Sequence, residues 1–211
     1  MSRRINMNYE NLASQNTVNK TAAALKEKGY RVYSVNKAAE ALKKIREIIP
    51  EGSSVMNGSS VTLEQIGYID YLKSEKHPFN DLHKKVTVEN DPDRRSKLRK
   101  EAALSEFYLG SVHALTENGD FIVASNTGSQ LPHIVYTSKN LIFVVSVKKI
   151  VSDISSGMKR LEEHVFPLEI KHMKELYNIE TNISKIVIFK KEHPLLKRKI
   201  HFILVNENLG F

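Results

Sequence analysis

Glu117 is the most conspicuous candidate for chemistry in this sequence, because it directly precedes an Asn-Gly pair, Asn118-Gly119. Asn-Gly best tolerates the positive φ angles of a type I′ turn, so the segment 110–129 predicts two strands joined at this turn. The first of these strands ends in the Glu117 carboxylate, which is therefore placed directly at the turn. The alternative interpretation is that Glu117 is a polar residue flanking a common turn.

Two polar loops supply short hydrogen-bond donors that suit a small anionic ligand. Each loop follows a predicted strand and precedes a predicted helix, so we expect both at the carboxyl edge of a sheet, with Glu117 facing a pocket between them. The alternative is ordinary turn and capping chemistry, with Thr62 and Gln65 as a capping box. The candidate ligand-binding residues are Gly58, Ser59, Ser60 and Thr62 in the first loop, Asn118 and Gly119 at the turn, and Asn126, Thr127, Gly128, Ser129 and Gln130 in the second loop.

His113 and His133 are the histidines nearest this region, and imidazoles titrate near neutral pH, as a general acid or base must. Neither has a partner at the spacing of helical metal ligands. The surrounding sequence LPHIVY favours a packed or capping role for His133. The sequence shows no convincing metal motif, no Walker-type phosphate loop and no dinucleotide glycine fingerprint.

Helical and strand patterns alternate along the chain without a linker, which predicts one α/β domain over residues 1–211. The sheet is predicted to be mainly parallel, with flanking helices and one antiparallel hairpin. The continuous apolar run 141–147 is typical of a central parallel strand. The other predicted strands are 31–35, 53–57, 85–88, 185–189 and 199–205. Helices are predicted at 8–28, 37–49, 91–108, 131–137 and 152–164, from Thr62 onward and after Pro167.

Composition excludes several classes of site. The chain has no cysteine, so it contains neither a disulfide nor a cysteine-ligated zinc or iron–sulfur site, and the cofactor is unknown. The net charge of +8 includes basic clusters at 94–100 and 190–199, which we interpret as solvated faces rather than a nucleic-acid surface. No apolar run is long enough to span a bilayer and no secretory pattern opens the chain, so we expect a cytoplasmic protein.

Five segments resemble the LUD-domain family, the lactate-utilization proteins, in its short standalone form; they are 58–67, 110–119, 126–130, 148–151 and 204–211. The resemblance implies the fold shared by glucosamine-phosphate deaminase (NagB), ribose-phosphate isomerase (RpiA) and CoA transferases. Lactate-utilization members work with iron–sulfur oxidoreductase subunits, so any cluster belongs to a partner of this cysteine-free chain. Thr116-Glu117-Asn118-Gly119 is also similar to a Ser-Glu-Asn-Gly segment of some CoA transferases, in which the glutamate is the nucleophile.

Three functions stay open at this point. The first is an accessory protein of lactate or organic-acid redox metabolism that binds a small anionic metabolite. The second is an enzyme of acyl- or phosphosugar-type chemistry that uses Glu117, and the third is a basic nucleic-acid-binding or regulatory protein. The oligomeric state is open as well, a homo-oligomer included, and the apolar end 209–211 is expected to pack against the domain or a partner subunit.

Overall fold

The structure, a computed structural model, describes residues 8–211 apart from the side chain of Tyr177. Its strands are Arg31–Val35 (β1), Ser54–Asn57 (β2), Asn80–Asp81 (β3), Phe107–Gly110 (β4), Ala114–Thr116 (β5), Phe121–Ser125 (β6), Asn140–Ser146 (β7), Ile150–Val151 (β8), Lys185–Phe189 (β9) and Lys199–Val205 (β10). Its α-helices are Gln15–Glu27 (α1), Ala38–Ile48 (α2), Val61–Gln65 (α3), Tyr68–Lys73 (α4), Leu82–Thr87 (α5), Pro92–Glu101 (α6), Ile154–Arg160 (α7) and Phe166–Tyr177 (α8).

The main sheet has six parallel strands in the order β1-β10-β7-β4-β2-β3. Its centre is the pair β7 and β10, which align from Asn140 opposite Lys199 to Ser146 opposite Val205. Both strands are buried along almost their whole length, as expected for parallel strands covered on both faces. The predicted α/β architecture with a mainly parallel sheet is confirmed.

A second sheet of four strands, in the order β8-β5-β6-β9, contains the predicted hairpin. β5 and β6 are antiparallel, and Thr116 N donates to Asp120 O at 2.8 Å across the turn. Only Gly119 of the Asn-Gly pair has a positive φ, +80°. The hairpin is therefore confirmed, but its turn carries one left-handed glycine, as in a type I turn with a bulge, and the predicted type I′ turn is wrong.

The elements stack in four layers. Helices α2, α3 and α4 cover one face of the main sheet, and α1 and the second sheet cover the other. In this second contact the ring of Phe121 lies 5.2 Å from that of Phe143 and 5.4 Å from that of Phe202. Helices α7 and α8 pack on the far face of the second sheet. They are continuous through a π-turn at 161–165, where two separate helices were predicted.

Two predicted elements between residues 80 and 110 are wrong, and the predicted helix 8–28 begins only at Gln15, after the N-cap Ser14. Residues 85–88, predicted as a strand, fall mainly in α5, which Asp81 caps by accepting from Lys84 N at 3.0 Å. The helix that Asp91 caps ends at Glu101, and 107–110 is β4. β4 lies fully buried between β2 and β7, so pairing and burial outweigh its local pattern.

Arg198, in the second basic cluster, is a buried side chain that links β10 to a neighbouring turn, and it is not a surface cation. Its side chain is 3% exposed and pairs with Glu192 at 2.9 Å. It also donates to main-chain carbonyls of the turn around 133–138, including His133 O at 2.8 Å and Ser138 O at 2.9 Å. One charge of the cluster is thus used to hold β10 against this turn. Across residues 8–211, the helices are all too short or too polar to cross a membrane.

Candidate functional site

A cleft of about 290 Å³ opens at the carboxyl edge of the main sheet. It lies where β2 and β4 end and where the chain continues beyond β7 and β10. The π-turn and α8 form the opposite wall, and the end of β6 forms a third side. Ligands of open α/β sheets bind at this edge, because the loops that follow the strands meet there.

The first polar loop lines this cleft, but its capping differs from the prediction. Ser60 is the N-cap of α3 and accepts from Leu63 N at 3.3 Å. Thr62 is buried and does not cap, while Gln65 accepts from Gly210 N at 2.6 Å. The predicted Thr62–Gln65 capping box is therefore wrong, and both side chains are used for tertiary contacts. Gly58 and Ser59 complete this side of the cleft.

The second polar loop reaches the same cleft through four of its five candidate residues. Thr127 and Ser129 are exposed, and their hydroxyls lie 3.1 Å apart. Gln130 is fixed, since its amide donates to Ala124 O at 3.0 Å and its carbonyl accepts from the Tyr108 hydroxyl at 3.3 Å. Asn126 also lines the cleft, whereas Gly128 does not. The fold thus brings the two loops together, and their role in ligand binding stays a prediction.

Lys149 is the most unusual group in the cleft. It follows β7, is 4% exposed and lines the cavity. Its Nζ donates to Thr62 Oγ1 and Ser111 Oγ, each at 3.1 Å. None of the ion pairs among the described residues includes Lys149, whereas its neighbour Lys148, equally buried, pairs with Glu10 at 2.9 Å. Burial and then the charges of Arg160 and Lys148 hold the pKa of Lys149 well below its usual value.

Arg160, the last residue of α7, is a second buried cation beside this wall. It is fully buried, and its Nη1 donates to the main-chain carbonyl of His113. Its Nε and Nη2 find no hydrogen-bond partner among the described residues. Burial lowers the pKa of Arg160 to about 10. The region behind the cleft is therefore positive, which favours an anion in front of it.

Glu169 brings a carboxyl group to the α8 wall of the cleft. Burial, with a smaller contribution from Glu64, raises the pKa of this half-buried carboxyl. Lys149 and Glu169 line one cavity, and their surroundings shift the two pKa values in opposite directions, that of Lys149 downwards and that of Glu169 upwards. Such opposed shifts in a cleft are typical of functional sites, because acid–base chemistry needs groups poised near the working pH.

The two candidate histidines are packed rather than poised for proton transfer. His113 lines the cleft, but burial and then the charges of Lys149 and Arg160 lower its pKa to about 3, and its Nδ1 accepts from Ala124 N at 3.0 Å. His133 does not line the cleft. Its ring stacks on Tyr108 at 4.6 Å, its Nδ1 contacts the hydroxyls of Ser105 and Ser138, and burial lowers its pKa to about 4. Both imidazoles are therefore neutral at pH 7.

Glu117 does not line the cleft, and neither do Asn118 and Gly119. The Glu117 carboxylate pairs with Lys20 of α1 at 2.7 Å, and its side chain is 29% exposed. Asn118 accepts from the Thr116 hydroxyl within the turn. The expected pocket between the polar loops exists without these three residues, and a catalytic role of Glu117 stays a prediction.

Sequence reasoning missed Lys149, Ser111 and Glu169, which line the cleft, and Arg160, which lies behind its wall. One signal for Lys149 was present, since a lysine pair directly follows the most apolar strand of the chain, at the edge where ligands bind. Nothing in the local pattern indicates that one lysine of the pair lacks a carboxylate partner. Gly210 and Phe211 also line the cleft, so the expectation that the apolar end packs against the domain is met at these residues.

The fold and the cleft define an α/β protein with a cavity, lined by both polar and apolar side chains, at the carboxyl edge of a parallel sheet. The LUD domain matches residues 18–205, and the chain belongs to the LUD-domain family. A comparison with curated proteins found no match. Among solved structures, the chain is similar to the crystal structure of a DUF162 family protein from Deinococcus radiodurans. The TM-score is 0.56 at 9% identity, over 93% of this chain and 100% of that one, so the likeness concerns the fold.

Proposed function

We propose that this LUD-domain protein binds a small anionic metabolite, a carboxylate or a phosphate ester, in the cleft around Lys149. The observation that carries the proposal is a buried amine that faces a cavity and has no carboxylate partner among the described residues. Buried ionisable groups in proteins are normally paired or neutral, because desolvation of a lone charge is costly. An anion that enters the cleft supplies the missing partner.

The two polar loops complete a receptor for such a ligand. Ser59, Thr127 and Ser129 offer exposed hydroxyl groups around the cavity. Hydroxyl and backbone N–H groups bind oxyanions at close range, and the positive charge of Arg160 behind the wall adds long-range attraction. A cavity of about 290 Å³ suits a small metabolite rather than a polymer.

Anion affinity is expected to fall as the pH rises. The lowered pKa of Lys149 means that the free cleft favours the neutral amine, whereas a bound anion favours the ammonium form. Binding therefore takes up a proton, and this uptake becomes more costly at higher pH. Between the pKa values of the free and bound states, affinity should drop by up to about tenfold per pH unit. Isothermal titration from pH 6 to 10, in buffers of different ionisation enthalpy, measures affinity and proton uptake together.

The other ionisable groups that face Lys149 contribute little to this pH dependence. His113 is neutral throughout the range because its pKa is about 3, and Arg160, with a pKa of about 10, loses charge only towards the upper end of the range. The raised pKa of Glu169 acts in the same direction, because a carboxyl group that ionises as the pH rises adds a negative charge to the cleft. An affinity that is flat from pH 6 to 10 would contradict the assignment of Lys149 as the anion partner.

The ligand class is tested by titration with lactate, pyruvate, a phosphosugar and an acyl-CoA at concentrations up to millimolar. We expect saturable binding of at least one small anion, and protection of Lys149 from acetylation when that ligand is present. Absence of binding for all of them at millimolar concentration would contradict the proposal.

The proposed biological role is that of an accessory protein in organic-acid redox metabolism, with lactate as one candidate substrate of the system. The family supports a partnership with iron–sulfur oxidoreductase subunits, and this chain has no cysteine to ligate a cluster of its own. A tagged chain is therefore expected to recover cluster-containing oxidoreductase subunits from a lysate of its source cells. Recovery of nucleic acid with salt-sensitive affinity, and of no such subunit, would instead favour the nucleic-acid alternative.

A further inference from the structure

We propose that Lys149 is a nucleophile that forms a Schiff base with the carbonyl carbon of an anionic ketone or aldehyde bound in the cleft. The substrate class is a 2-oxo carboxylate or a phosphorylated ketose, which share a carbonyl group and an anionic group. This inference rests on the proposed function, because the anionic group must first bind in the same cavity. The attacking form is the neutral amine, with which the ammonium form of the bound complex is in proton-exchange equilibrium.

The hydrogen bonds of Lys149 suit a nucleophilic amine. A neutral primary amine has two N–H donors and one lone pair. The Nζ of Lys149 donates to two acceptors, Thr62 Oγ1 and Ser111 Oγ, each at 3.1 Å. Both N–H bonds are thereby used, and the lone pair is left for an electrophile. An ammonium group would have a third donor, for which no carboxylate is present among the described side chains.

Other buried or half-buried lysines contact carboxylates. Lys148 is as buried as Lys149, but its Nζ contacts Glu10 at 2.9 Å and Asn208 at 2.6 Å. Lys28 is bound to the buried Asp120 at 2.5 Å. A carboxylate stabilises the protonated amine, which has no lone pair to attack with. Lys149 instead lies near two cations, an arrangement that activates a lysine as a nucleophile.

The reaction is a condensation that needs no oxidant or reductant. The Nζ lone pair attacks the carbonyl carbon, a C–N bond forms, the C=O π bond breaks, and one N–H proton passes to the carbonyl oxygen to give a carbinolamine. The nitrogen then forms a C=N bond while the C–O bond breaks. The hydroxyl leaves as water with one more proton, and the second N–H proton replaces it on the group that donated it. Glu169 lines the same cleft with a raised pKa, and it is the group that donates this proton. Ketone and amine thus give imine and water.

Trapping with sodium borohydride tests the inference on the intact protein. The wild-type chain is incubated with pyruvate, with dihydroxyacetone phosphate or with lactate, then reduced and mapped by mass spectrometry. We expect one stable adduct per chain, on Lys149, with one of the carbonyl compounds. Lactate is the matched ligand control: it has the size and charge of pyruvate but no carbonyl, so it should bind without being trapped.

Three variants separate the Schiff base from simple anion binding. Lys149→Arg keeps a cation for the anion but should lose trapping completely. Lys148→Arg is the matched control on the neighbouring buried lysine and should keep it. Glu169→Gln should slow trapping at saturating ligand without changing the final yield. Mass spectrometry locates the adduct on the wild-type chain without any variant. The inference can therefore be tested even if a variant fails to fold.

The outcomes distinguish the two proposals. If pyruvate and dihydroxyacetone phosphate bind in the cleft and neither is trapped, the Schiff base is refuted and the anion site stands. Adducts spread over exposed lysines in proportion to their exposure would also refute the Schiff base. If no anion binds at all, both proposals fail together.

Discussion

Replacement of Lys149 by methionine is expected to weaken binding of the anionic ligand by about 10- to 100-fold. A hydrogen bond to a charged group contributes ~1.5–3 kcal/mol, and each 1.4 kcal/mol corresponds to about a factor of ten in affinity. The same change should leave stability unchanged or raise it by about 1–2 kcal/mol, because it removes a buried ionisable group that has no carboxylate partner among the described residues. Isothermal titration and thermal melting at pH 7 measure the two effects.

The matched control for this experiment is Lys20→Met. It makes the same side-chain replacement at a lysine that is 66% exposed and pairs with Glu117, away from the cleft. Its effect on stability should be below about 1 kcal/mol, as for other surface ion pairs, and ligand affinity should not change. Equal weakening in both variants would show that net charge, rather than a site at Lys149, governs binding. A large loss of stability in Lys149→Met alone would show that the lysine is structural.

Gly210→Ala is expected to lower both stability and ligand affinity, because this glycine lies directly over Lys149. Its φ is +63°, which disfavours any residue with a Cβ atom. A Cβ atom there would overlap with Thr62 Oγ1 and would lie 2.9 Å from Lys149 Nζ. We expect a loss of ~2–3 kcal/mol in the free energy of unfolding, from backbone strain and overpacking together. Affinity should fall by tenfold or more, since the contact between Thr62 and Lys149 must shift.

Gly52→Ala is the control that measures the cost of backbone strain without overpacking. Gly52 has a similar φ of +77°, and a Cβ atom there would meet nothing within 4 Å. It should cost ~1 kcal/mol and leave ligand affinity unchanged. Chemical denaturation and titration of both variants measure the difference. Equal costs for the two substitutions, with affinity intact, would mean that the 210–211 segment is free to move away from the cleft.

The regular parts of the fold were predictable because their patterns are local. The apolar run 141–147 reads as a central parallel strand, and β7 occupies that position. Asn118 and Gly119 predict a hairpin between β5 and β6, which is present although only Gly119 is left-handed. These predictions depend on a few adjacent residues, and so does the structure that they describe.

The predictions that failed concern segments whose structure depends on residues far away in the sequence. Residues 107–110 follow a helix without a break signal, and only their pairing with β2 and β7 makes them a strand. Thr62 and Gln65 fit a capping box, yet Lys149 and Gly210 engage their side chains. Local sequence preference is weak evidence for structure, and tertiary contacts override it. The wrong predictions are therefore found mainly around the cleft, where segments from different parts of the chain meet.

The α/β class, the two polar loops that reach one edge of the sheet and the lack of any cysteine-ligated cluster in the chain all follow from local patterns and composition. The tertiary structure alone decided which ionisable group meets those loops. Lys149 donates hydrogen bonds to Thr62, 87 positions away, and to Ser111, 38 positions away. Glu117 instead forms an ion pair with Lys20. The reason is physical: the charge and reactivity of a side chain depend on desolvation and on neighbouring charges, and chain folding sets both.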